Sequence, residues 1–227
     1  MHGQTETTHV PRISWTIVHA ALVAFSGWML LGGGTPVVGS WFGAEWTAGD
    51  AGRRGVLFIF GVILFIRMSV TGFVLLKRKF GWSEAIPVIV AVSIYQLGFG
   101  LLGAQTAAPL GPVDAIPIAL FALGSFLNTG SELQRKRFKD DPANKGKLYT
   151  GGLFRFARHI NYFGDTCWAF GWALLTLNPW ALIIPSLLTA GFVFAFIPEL
   201  HKYLAERYGE DYAEWCKRTK RFVPWVY

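Results

Sequence analysis

Long apolar stretches recur along the whole chain, and no other feature of the sequence constrains its fold as strongly. A membrane-crossing helix needs about 20 mostly apolar residues, with a range of about 17 to 25. The sequence predicts about six such spans, at 13–31, 56–76, 85–102, 113–127, 163–177 and 179–197. The fifth is short and contains Asp165, so we expect it to be tilted or partly buried in protein. The predicted fold is an all-α, multi-pass transmembrane helical bundle.

The composition excludes an ordinary soluble domain. Of the 227 residues, 52% are hydrophobic and 15% are charged, whereas soluble domains carry about 25% charged residues. The net charge of +7 does not indicate nucleic-acid binding, because the basic residues flank the apolar stretches. We expect the lipid bilayer as a partner, and neither nucleic acid nor a protein partner. We treat 1–227 as a single membrane domain, with N-terminal spans on the substrate side in 1–128 and a cofactor-binding region in 129–227.

The distribution of lysine and arginine predicts the orientation, since cytoplasmic loops are enriched in both. The loop at 77–79, the long loop at 129–161 and the tail after residue 201 are basic, whereas the loops around Gln105 and Asn178 carry no basic residue. Six spans with both termini in the cytoplasm fit every loop except the one holding Arg53 and Arg54. The titratable residues of the C-terminal half then share one cytoplasmic face.

The densest cluster of polar side chains lies between residues 132 and 165, next to the fifth span. Arginine and lysine supply hydrogen-bond donors for an anionic ligand, and a helix N-terminus adds unpaired N–H groups. An alternative is that this basic loop binds anionic lipid headgroups. The candidate ligand-binding residues of the cluster are Arg135, Lys139, Asn144, Arg158, His159, Asn161, Tyr162 and Asp165.

The tail repeats the same mixture of aromatic and charged residues, and an amphipathic interfacial helix is the alternative there. Its candidate binding residues are Glu199, His201, Asp211 and Tyr212. His159, His201 and Glu199 show no tight ligand spacing, so we predict no metal site. The two cysteines, Cys167 and Cys216, indicate neither a disulfide framework nor a metal motif.

The N-terminal half offers fewer candidates. Glu45 borders the membrane and Tyr95 lies within the third span. Each is a candidate catalytic acid, and an interfacial carboxylate and a bundle hydroxyl are the respective alternatives. Gly98, Gly100 and Gly103 match a dinucleotide fingerprint in letters alone, because no strand precedes them, and we interpret them as helix-packing residues.

Several motifs in sequence order resemble the steroid 5-alpha-reductase and sterol reductase superfamily, and in particular its bacterial reductase-like branch. They are Glu-x-Gln-Arg-x-x-Phe-Lys at 132–139, Pro-Ala-Asn-Lys-Gly at 142–146, Arg-His-x-Asn-Tyr-Phe-Gly-Asp at 158–165 and Tyr-Gly-x-Asp-Tyr at 208–212. The resemblance covers about residues 120–227. The superfamily also includes the isoprenylcysteine carboxyl methyltransferases, which share the Arg-His-x-x-Tyr element.

The resemblance implies a cytoplasm-facing cofactor pocket in the C-terminal half, built from the candidate residues of the loop and the tail. The reductase branch uses NADPH there and the methyltransferase branch uses S-adenosylmethionine. Arg135 and Lys139 match basic residues of the reductases, Asn161 and Asp165 match the sterol reductases, and the tail lacks the paired glutamates of the methyltransferases. These features favour NADPH.

The function expected from this resemblance is NADPH-dependent reduction of a carbon–carbon double bond in a sterol, steroid or isoprenoid lipid, with Glu45 or Tyr95 as the acid. One alternative is methyl transfer from S-adenosylmethionine to a lipid-linked carboxylate or amine. A second is a non-enzymatic lipid-binding protein of the same fold, because Thr71 falls where the reductases have a catalytic tyrosine.

Overall fold

The computed structural model describes residues 9–76 and 78–227, and regular structure in this part of the chain is helical throughout. Four short 3₁₀ turns and two five-residue π-helical turns connect or extend the α-helices. The helices are α1 (His9–Leu31), α2 (Thr35–Trp41), α3 (Ala51–Val70), α4 (Trp82–Gly103), α5 (Ala115–Asp140), α6 (Ile160–Leu175), α7 (Ile183–Gly191) and α8 (Ile197–Arg218). The predicted all-helical fold is confirmed.

Five helical segments among the described residues are long and apolar enough to cross a membrane. They are His9–Leu31, Ala51–Leu75, Trp82–Gly103, Pro112–Asp140 and Pro179–Arg218, and they correspond to five of the predicted spans. The remaining predicted span, 163–177, corresponds to α6, which has 16 residues and is therefore about 24 Å long. Its side chains Cys167, Trp168 and Trp172 are buried, which agrees with the expectation of a span partly enclosed by protein.

The chain divides into two compact units. The first comprises Met1–Pro112 with Leu175–Ala181, and the second comprises Val113–Leu174 with Leu182–Tyr227. The predicted single membrane domain, with its N-terminal and C-terminal parts meeting at residue 128, stays a prediction.

In the first unit, α1 packs against α3 and α4 through small and apolar residues. A Cβ atom at Gly100 would lie 2.8 Å from Met29 Cε, and one at Gly103 would lie 2.5 Å from Leu57 Cδ1. These distances are shorter than any normal contact, so a side chain at either position would displace the end of Met29 or Leu57, and glycine lets the helices pack closely there. The packing interpretation of Gly100 and Gly103 is confirmed.

Arg53, which lies in the one loop that does not fit the predicted orientation, is buried in the first unit. Its Nε donates to Ala108 O at 2.9 Å, its Nη1 to Leu175 O at 2.8 Å and its Nη2 to Pro109 O at 3.2 Å. Arg54 Nε donates to Gly49 O at 3.0 Å. Both guanidinium groups bind backbone carbonyls, so both arginines contribute to packing within this unit, and the predicted orientation stays a prediction.

In the second unit, α5 and α6 approach each other along a seam of glycines. A Cβ atom at Gly124 would lie 2.3 Å from Trp168 N, and one at Gly164 would lie 2.6 Å from Asn128 N. Only the absence of a side chain permits this separation, as in other closely packed helix pairs. The seam fixes the N-terminal end of α6, which directly follows Arg158 and His159.

Helix α8 bends at Gly209, whose φ of +48° places it outside helical geometry. Beyond the bend, Tyr212 and Trp215 are buried in a cluster with Phe154, Ala157 and Ile160. After α8 the chain returns to the start of α6, where Arg158 N donates to Lys220 O at 2.9 Å and His159 N donates to Arg221 O at 3.1 Å. The tail thus holds the backbone of two candidate binding residues in place.

Candidate functional site

A cavity of about 290 Å³ lies within the second unit, formed by α5, the 3₁₀ turn Gly152–Arg155, the start of α6 and the two parts of α8. Its polar lining residues are Arg135, Lys139, Arg158, His159 and Asn161. Its aromatic and aliphatic lining residues are Leu148, Tyr149, Phe154, Leu200, Tyr203, Leu204, Tyr208 and Trp215. The cavity therefore combines hydrogen-bond donors with flat aromatic surfaces.

The charge of this cavity is entirely positive, because three cationic side chains line it and no carboxylate does. Glu132 does not line the cavity but hydrogen-bonds to two of the polar residues that do. Its Oε2 accepts from Arg135 Nη2 at 2.5 Å, and its Oε1 accepts from Asn161 Nδ2 at 2.9 Å. Glu132 therefore orients Arg135 and Asn161 and offsets part of the charge of Arg135, so Lys139 and Arg158 carry most of the positive charge of the lining.

Lys139 connects α5 to the second half of the cavity wall. Its Nζ donates to Tyr208 Oη at 3.2 Å and also to Lys147 O. The ammonium group lies 5.4 Å from the centre of the Tyr208 ring, within the range of a cation–π contact. This residue is exposed on one side, so it marks the open end of the cavity.

Arg158 is the buried cation of the cavity, with 9% of its surface exposed. Its Nη1 contacts Cys216 Sγ and lies 3.5 Å from Tyr212 Oη, which is 2.8 Å from His201 Nδ1. Its Nε finds no hydrogen-bond acceptor among the described residues. A buried donor without a partner loses about 1–3 kcal/mol relative to one that is bonded, so an acceptor on a ligand would be stabilised here.

His159 is 2% exposed and, like Arg158, has a buried nitrogen atom without a hydrogen-bond partner among the described residues. Its Nε2 has no hydrogen-bond partner in the described part of the chain, and its ring stacks on Tyr162 with centroids 5.8 Å apart. Burial first, then the charges of Arg158, Arg221 and His201, lower the pKa of His159 to about 3. His159 is consequently neutral at pH 7 and carries one donor nitrogen and one acceptor nitrogen.

A shallower groove of about 410 Å³ borders the cavity and shares Leu200 and Tyr203 with it. Tyr162, Phe196 and Glu199 complete its lining. The groove contains a carboxylate and a phenol where the cavity contains cations. The two spaces therefore offer different chemistry on either side of the same α8 residues.

The structure brings seven of the twelve predicted binding residues to these two spaces. Arg135, Lys139, Arg158, His159 and Asn161 line the cavity, and Tyr162 and Glu199 line the groove. Their roles in binding stay predictions.

The other five predicted binding residues line neither space. Asn144 Nδ2 donates to Phe138 O at 3.1 Å, and Asp165 Oδ1 accepts from Trp168 Nε1 at 2.7 Å. Asp211 is exposed. His201 and Tyr212 hydrogen-bond to each other behind Arg158. These contacts suit residues that position the lining, and no finding tests their predicted roles.

Glu45 and Tyr95 belong to the first unit. Glu45 is exposed, and Tyr95 is partly buried with its ring stacked on Phe99 at 6.4 Å between centroids. Their predicted catalytic roles stay predictions. Among the described residues, no group of three histidine, cysteine, aspartate or glutamate side chains is arranged to hold a metal ion.

The aromatic wall of the cavity was not predicted from the sequence. Tyr203 and Leu204 follow Leu200 at the i+3 and i+4 positions of a helix, so one face of α8 carries all three. That spacing was the available signal. The amphipathic helix that was the alternative interpretation of the tail includes this face.

The fold and the site define a class: a helical integral membrane protein with a cation-lined, aromatic cavity at one end of its helices. The profile of the family described as "Protein of unknown function (DUF1295)" matches residues 84–219, which is more than half of the chain, and the protein belongs to this family. The matched segment contains every residue that lines the cavity and the groove.

Three relatives illustrate the range of similarity. The probable O-methyltransferase ustE of Ustilaginoidea virens is 37% identical over 109 residues, which is 46% of this chain and 37% of that protein. The Delta(14)-sterol reductase erg24 of Schizosaccharomyces pombe is 34% identical over 137 residues, 52% of this chain and 32% of that protein. The protein-S-isoprenylcysteine O-methyltransferase B of Arabidopsis thaliana is 31% identical over 80 residues, 35% of this chain and 41% of that protein.

These comparisons confirm the resemblance to the sterol reductase superfamily and to its methyltransferase relatives. The chain spans about a third to two fifths of the length of the curated relatives it matches. The relatives are enzymes of two kinds, reductases and methyltransferases, and they support an enzyme of this superfamily without fixing the reaction.

Proposed function

We propose that the protein is a membrane-embedded, NADPH-dependent reductase of a carbon–carbon double bond in a sterol, steroid or isoprenoid lipid. The observation that carries this proposal is the charge of the cavity in the second unit. Arg135, Lys139 and Arg158 line it and no carboxylate does. A phosphorylated dinucleotide carries several negative charges, and arginine forks and ammonium groups are the side chains that bind phosphate best.

The residues present fit such a cofactor in two further ways. The unpartnered Nε of Arg158 and Nε2 of His159 supply buried polar atoms that a ligand can satisfy. Tyr149, Phe154 and Trp215 offer aromatic faces for a planar base. The same cavity is less suited to the sulfonium cation of S-adenosylmethionine, because no lining carboxylate offsets a positive charge.

Each residue then has a role that follows from its position. Arg135 and Lys139, at the exposed end, hold phosphate groups, and the buried Arg158 holds an acidic or carbonyl oxygen further in. Neutral His159 donates or accepts one hydrogen bond. Tyr162 and Glu199, in the bordering groove, bind hydroxyl or amide groups. Bound NADPH would supply the hydride for the reduction.

The proton for the other carbon would come from an acid that protonates or polarises the double bond, and Glu45 and Tyr95 stay the candidates for it. The substrate is a membrane-soluble lipid that enters from the bilayer. We infer from the basic loops that both termini and the cavity face the cytoplasm. We infer no protein or nucleic-acid partner.

Methyl transfer is the second candidate, because an O-methyltransferase is 37% identical to part of the chain. Its support within the site is the aromatic wall, since tyrosine and tryptophan faces attract cations. In this case the protein would use S-adenosylmethionine and modify a lipid-linked carboxylate or amine. A lipid-binding protein without catalysis is the remaining alternative.

Calorimetry of the detergent-purified protein with NADPH and with S-adenosylmethionine tests the proposal. Arg135→Gln and Arg137→Gln form a matched pair, because both arginines are exposed on α5 and only Arg135 lines the cavity. We expect NADPH to bind and Arg135→Gln to weaken binding about tenfold or more, as for a lost charged hydrogen bond, with Arg137→Gln close to the parent. Binding of S-adenosylmethionine alone would establish the second candidate, and binding of neither would favour the non-enzymatic protein.

A further inference from the structure

A second pocket, of about 480 Å³, lies within the first unit. It is formed by the C-terminal end of α4, the loop that follows it and the turn at 177–180. Its polar lining residues are Gln105, Thr106 and Asn178, and its aromatic ones are Trp46 and Trp180. The reductase proposal does not use this pocket.

Two of the polar side chains build the wall of this pocket. Thr106 Oγ1 donates to Thr176 O at 2.7 Å, and Asn178 Nδ2 donates to Leu102 O at 3.2 Å. Asn178 Oδ1 accepts from Trp180 N at 3.0 Å, which fixes the turn that carries Trp180. Both side chains are therefore engaged in holding the turn against the end of α4.

The backbone behind the pocket is equally constrained. Gly49 N donates to Ala104 O at 2.9 Å and Asp50 N donates to Thr106 O at 2.8 Å. A Cβ atom at Gly49 would lie 2.3 Å from Thr106 O, so the two segments are in direct backbone contact. Arg53, which donates to three carbonyls, secures the adjacent residues. The pocket is preorganised, which lowers the ordering entropy that a ligand must overcome.

The remaining lining side chains are free to bind a ligand. In the described part of the chain, the amide of Gln105 and the indole N–H groups of Trp46 and Trp180 make no hydrogen bond to the protein. No aspartate, glutamate, lysine or arginine lines the pocket. Burying an unpaired ligand charge there would be unfavourable. The lining thus selects an uncharged ligand with oxygen acceptors or hydroxyl groups.

The ligand is a lipid rather than a soluble molecule for two reasons. The pocket sits at the end of α4, a helix long and apolar enough to cross a membrane, and tryptophan is enriched at the membrane interface. Leu101, Leu102 and Leu177 also line the pocket, and Leu177 is 56% exposed. Aliphatic walls of this kind suit a hydrocarbon chain continuing from a polar head.

We propose that this pocket binds the uncharged, hydroxyl-bearing head of a membrane lipid, with the amide of Gln105 hydrogen-bonding the head and the indoles of Trp46 and Trp180 covering it. The site is independent of the cofactor chemistry in the second unit. It would be retained whether the protein is a reductase or a methyltransferase.

Three lipids with the same oleoyl chain test the proposal. The probes are 1-oleoylglycerol, which is uncharged with two hydroxyls, methyl oleate, which has no hydroxyl, and 1-oleoyl-lysophosphatidylglycerol, which is anionic. Each is titrated into the detergent-purified protein, with bound lipids counted by native mass spectrometry and affinity taken from the rise in thermal unfolding temperature. We expect one tightly held 1-oleoylglycerol, and affinities about tenfold lower or worse for the other two.

Two variants locate the site. Gln105→Leu removes the amide at an exposed position without internal hydrogen bonds, so the fold is retained, and binding of 1-oleoylglycerol should weaken about tenfold. Trp180→Leu should weaken it similarly, whereas Trp82→Leu, which removes an exposed tryptophan outside the pocket, should leave it unchanged. Equal affinity for the three lipids, or equal loss in the Trp180 and Trp82 variants, would overturn the proposal.

Discussion

Two buried arginines, Arg53 of the first unit and Arg158 of the second, differ in what their guanidinium groups contact. Arg53, 1% exposed, donates from three nitrogen atoms to three backbone carbonyls. Arg158, 9% exposed, contacts a phenol and a thiol through one nitrogen, and its Nε has no acceptor among the described residues. Arg53 is saturated by the protein, whereas Arg158 retains capacity for a ligand.

The contacts of a buried guanidinium group indicate whether it serves folding or ligand binding. A guanidinium group whose donors all end on carbonyls stabilises the fold and contributes nothing to binding. One that is left partly unpartnered beside a cavity is disfavoured until an anion arrives, and this is the signature of a binding site. Replacing Arg53 should therefore lower the stability of the protein, whereas replacing Arg158 should weaken its affinity for the ligand.

Replacing Arg53 should have the largest effect on stability. Arg53→Met leaves three carbonyls without their donor, and each buried unsatisfied group costs about 1–3 kcal/mol. We expect a loss of at least about 3 kcal/mol, seen as a lower unfolding temperature or failure to purify in folded form. Arg137→Met is the control, since Arg137 is exposed on α5. Equal stability of the two variants would show that the carbonyl contacts of Arg53 are unimportant.

Replacing Arg158 should weaken ligand binding and leave stability nearly unchanged, the opposite of what we expect for Arg53. Arg158→Met keeps the aliphatic part of the side chain and removes a partly unpartnered charge, so the unfolding temperature should change little. Calorimetry should show NADPH binding weakened about tenfold to a hundredfold, as for a charge-assisted hydrogen bond of about 1.5–3 kcal/mol. Arg155→Met serves as the control, because Arg155 is exposed and lines neither the cavity nor the groove. Unchanged binding by the Arg158 variant would contradict the proposed site.

The same two arginines show what the sequence could predict. Arg158 was assigned to a binding site because it stands in a basic run next to a predicted helix N-terminus, a local signal. Arg53 counted as evidence about membrane orientation, because its acceptors at Ala108, Pro109 and Leu175 are 55, 56 and 122 residues away. Contacts at that separation leave no pattern in the sequence.

The helices, too, could be predicted from the sequence only in part. Five spans were predictable, because lipid contact demands long apolar runs. The fifth span was predicted to be short, as α6 is, but α6 begins three residues earlier and ends two residues earlier than the predicted span 163–177. Its start is fixed by packing along the glycine seam of Gly124 and Gly164. The cations of the cavity lie in one predicted segment, whereas Tyr203, Tyr208 and Trp215 come from the tail. The bend at Gly209 that distributes these aromatic residues along two parts of α8 has no counterpart in hydropathy.

The hydroxyl of Tyr212 should affect Arg158 indirectly. It lies between His201 Nδ1, at 2.8 Å, and Arg158 Nη1, at 3.5 Å. Tyr212→Phe keeps the buried ring and removes this link, so we expect NADPH binding to weaken about threefold to tenfold, as for one neutral hydrogen bond. In Tyr227→Phe, which removes a hydroxyl bonded to Arg221, binding should stay at the parent value. A Tyr212 variant that binds as tightly as the parent would show that Arg158 is positioned without this hydroxyl.

The last expected effect is a change in acid sensitivity caused by His159. Its pKa of about 3 in the folded protein lies below the value of about 6.5 expected when unfolded. The unfolded state therefore binds a proton that the folded state does not, and stability falls as the pH drops from about 6.5 towards 3, by at most about 1.4 kcal/mol per pH unit. His159→Gln removes this titration, so its unfolding temperature should fall less between pH 7.5 and pH 5 than that of the parent. His9→Gln, at an exposed position, should behave as the parent does, and an equal fall in all three proteins would mean that His159 is protonated in the folded state as readily as in the unfolded one.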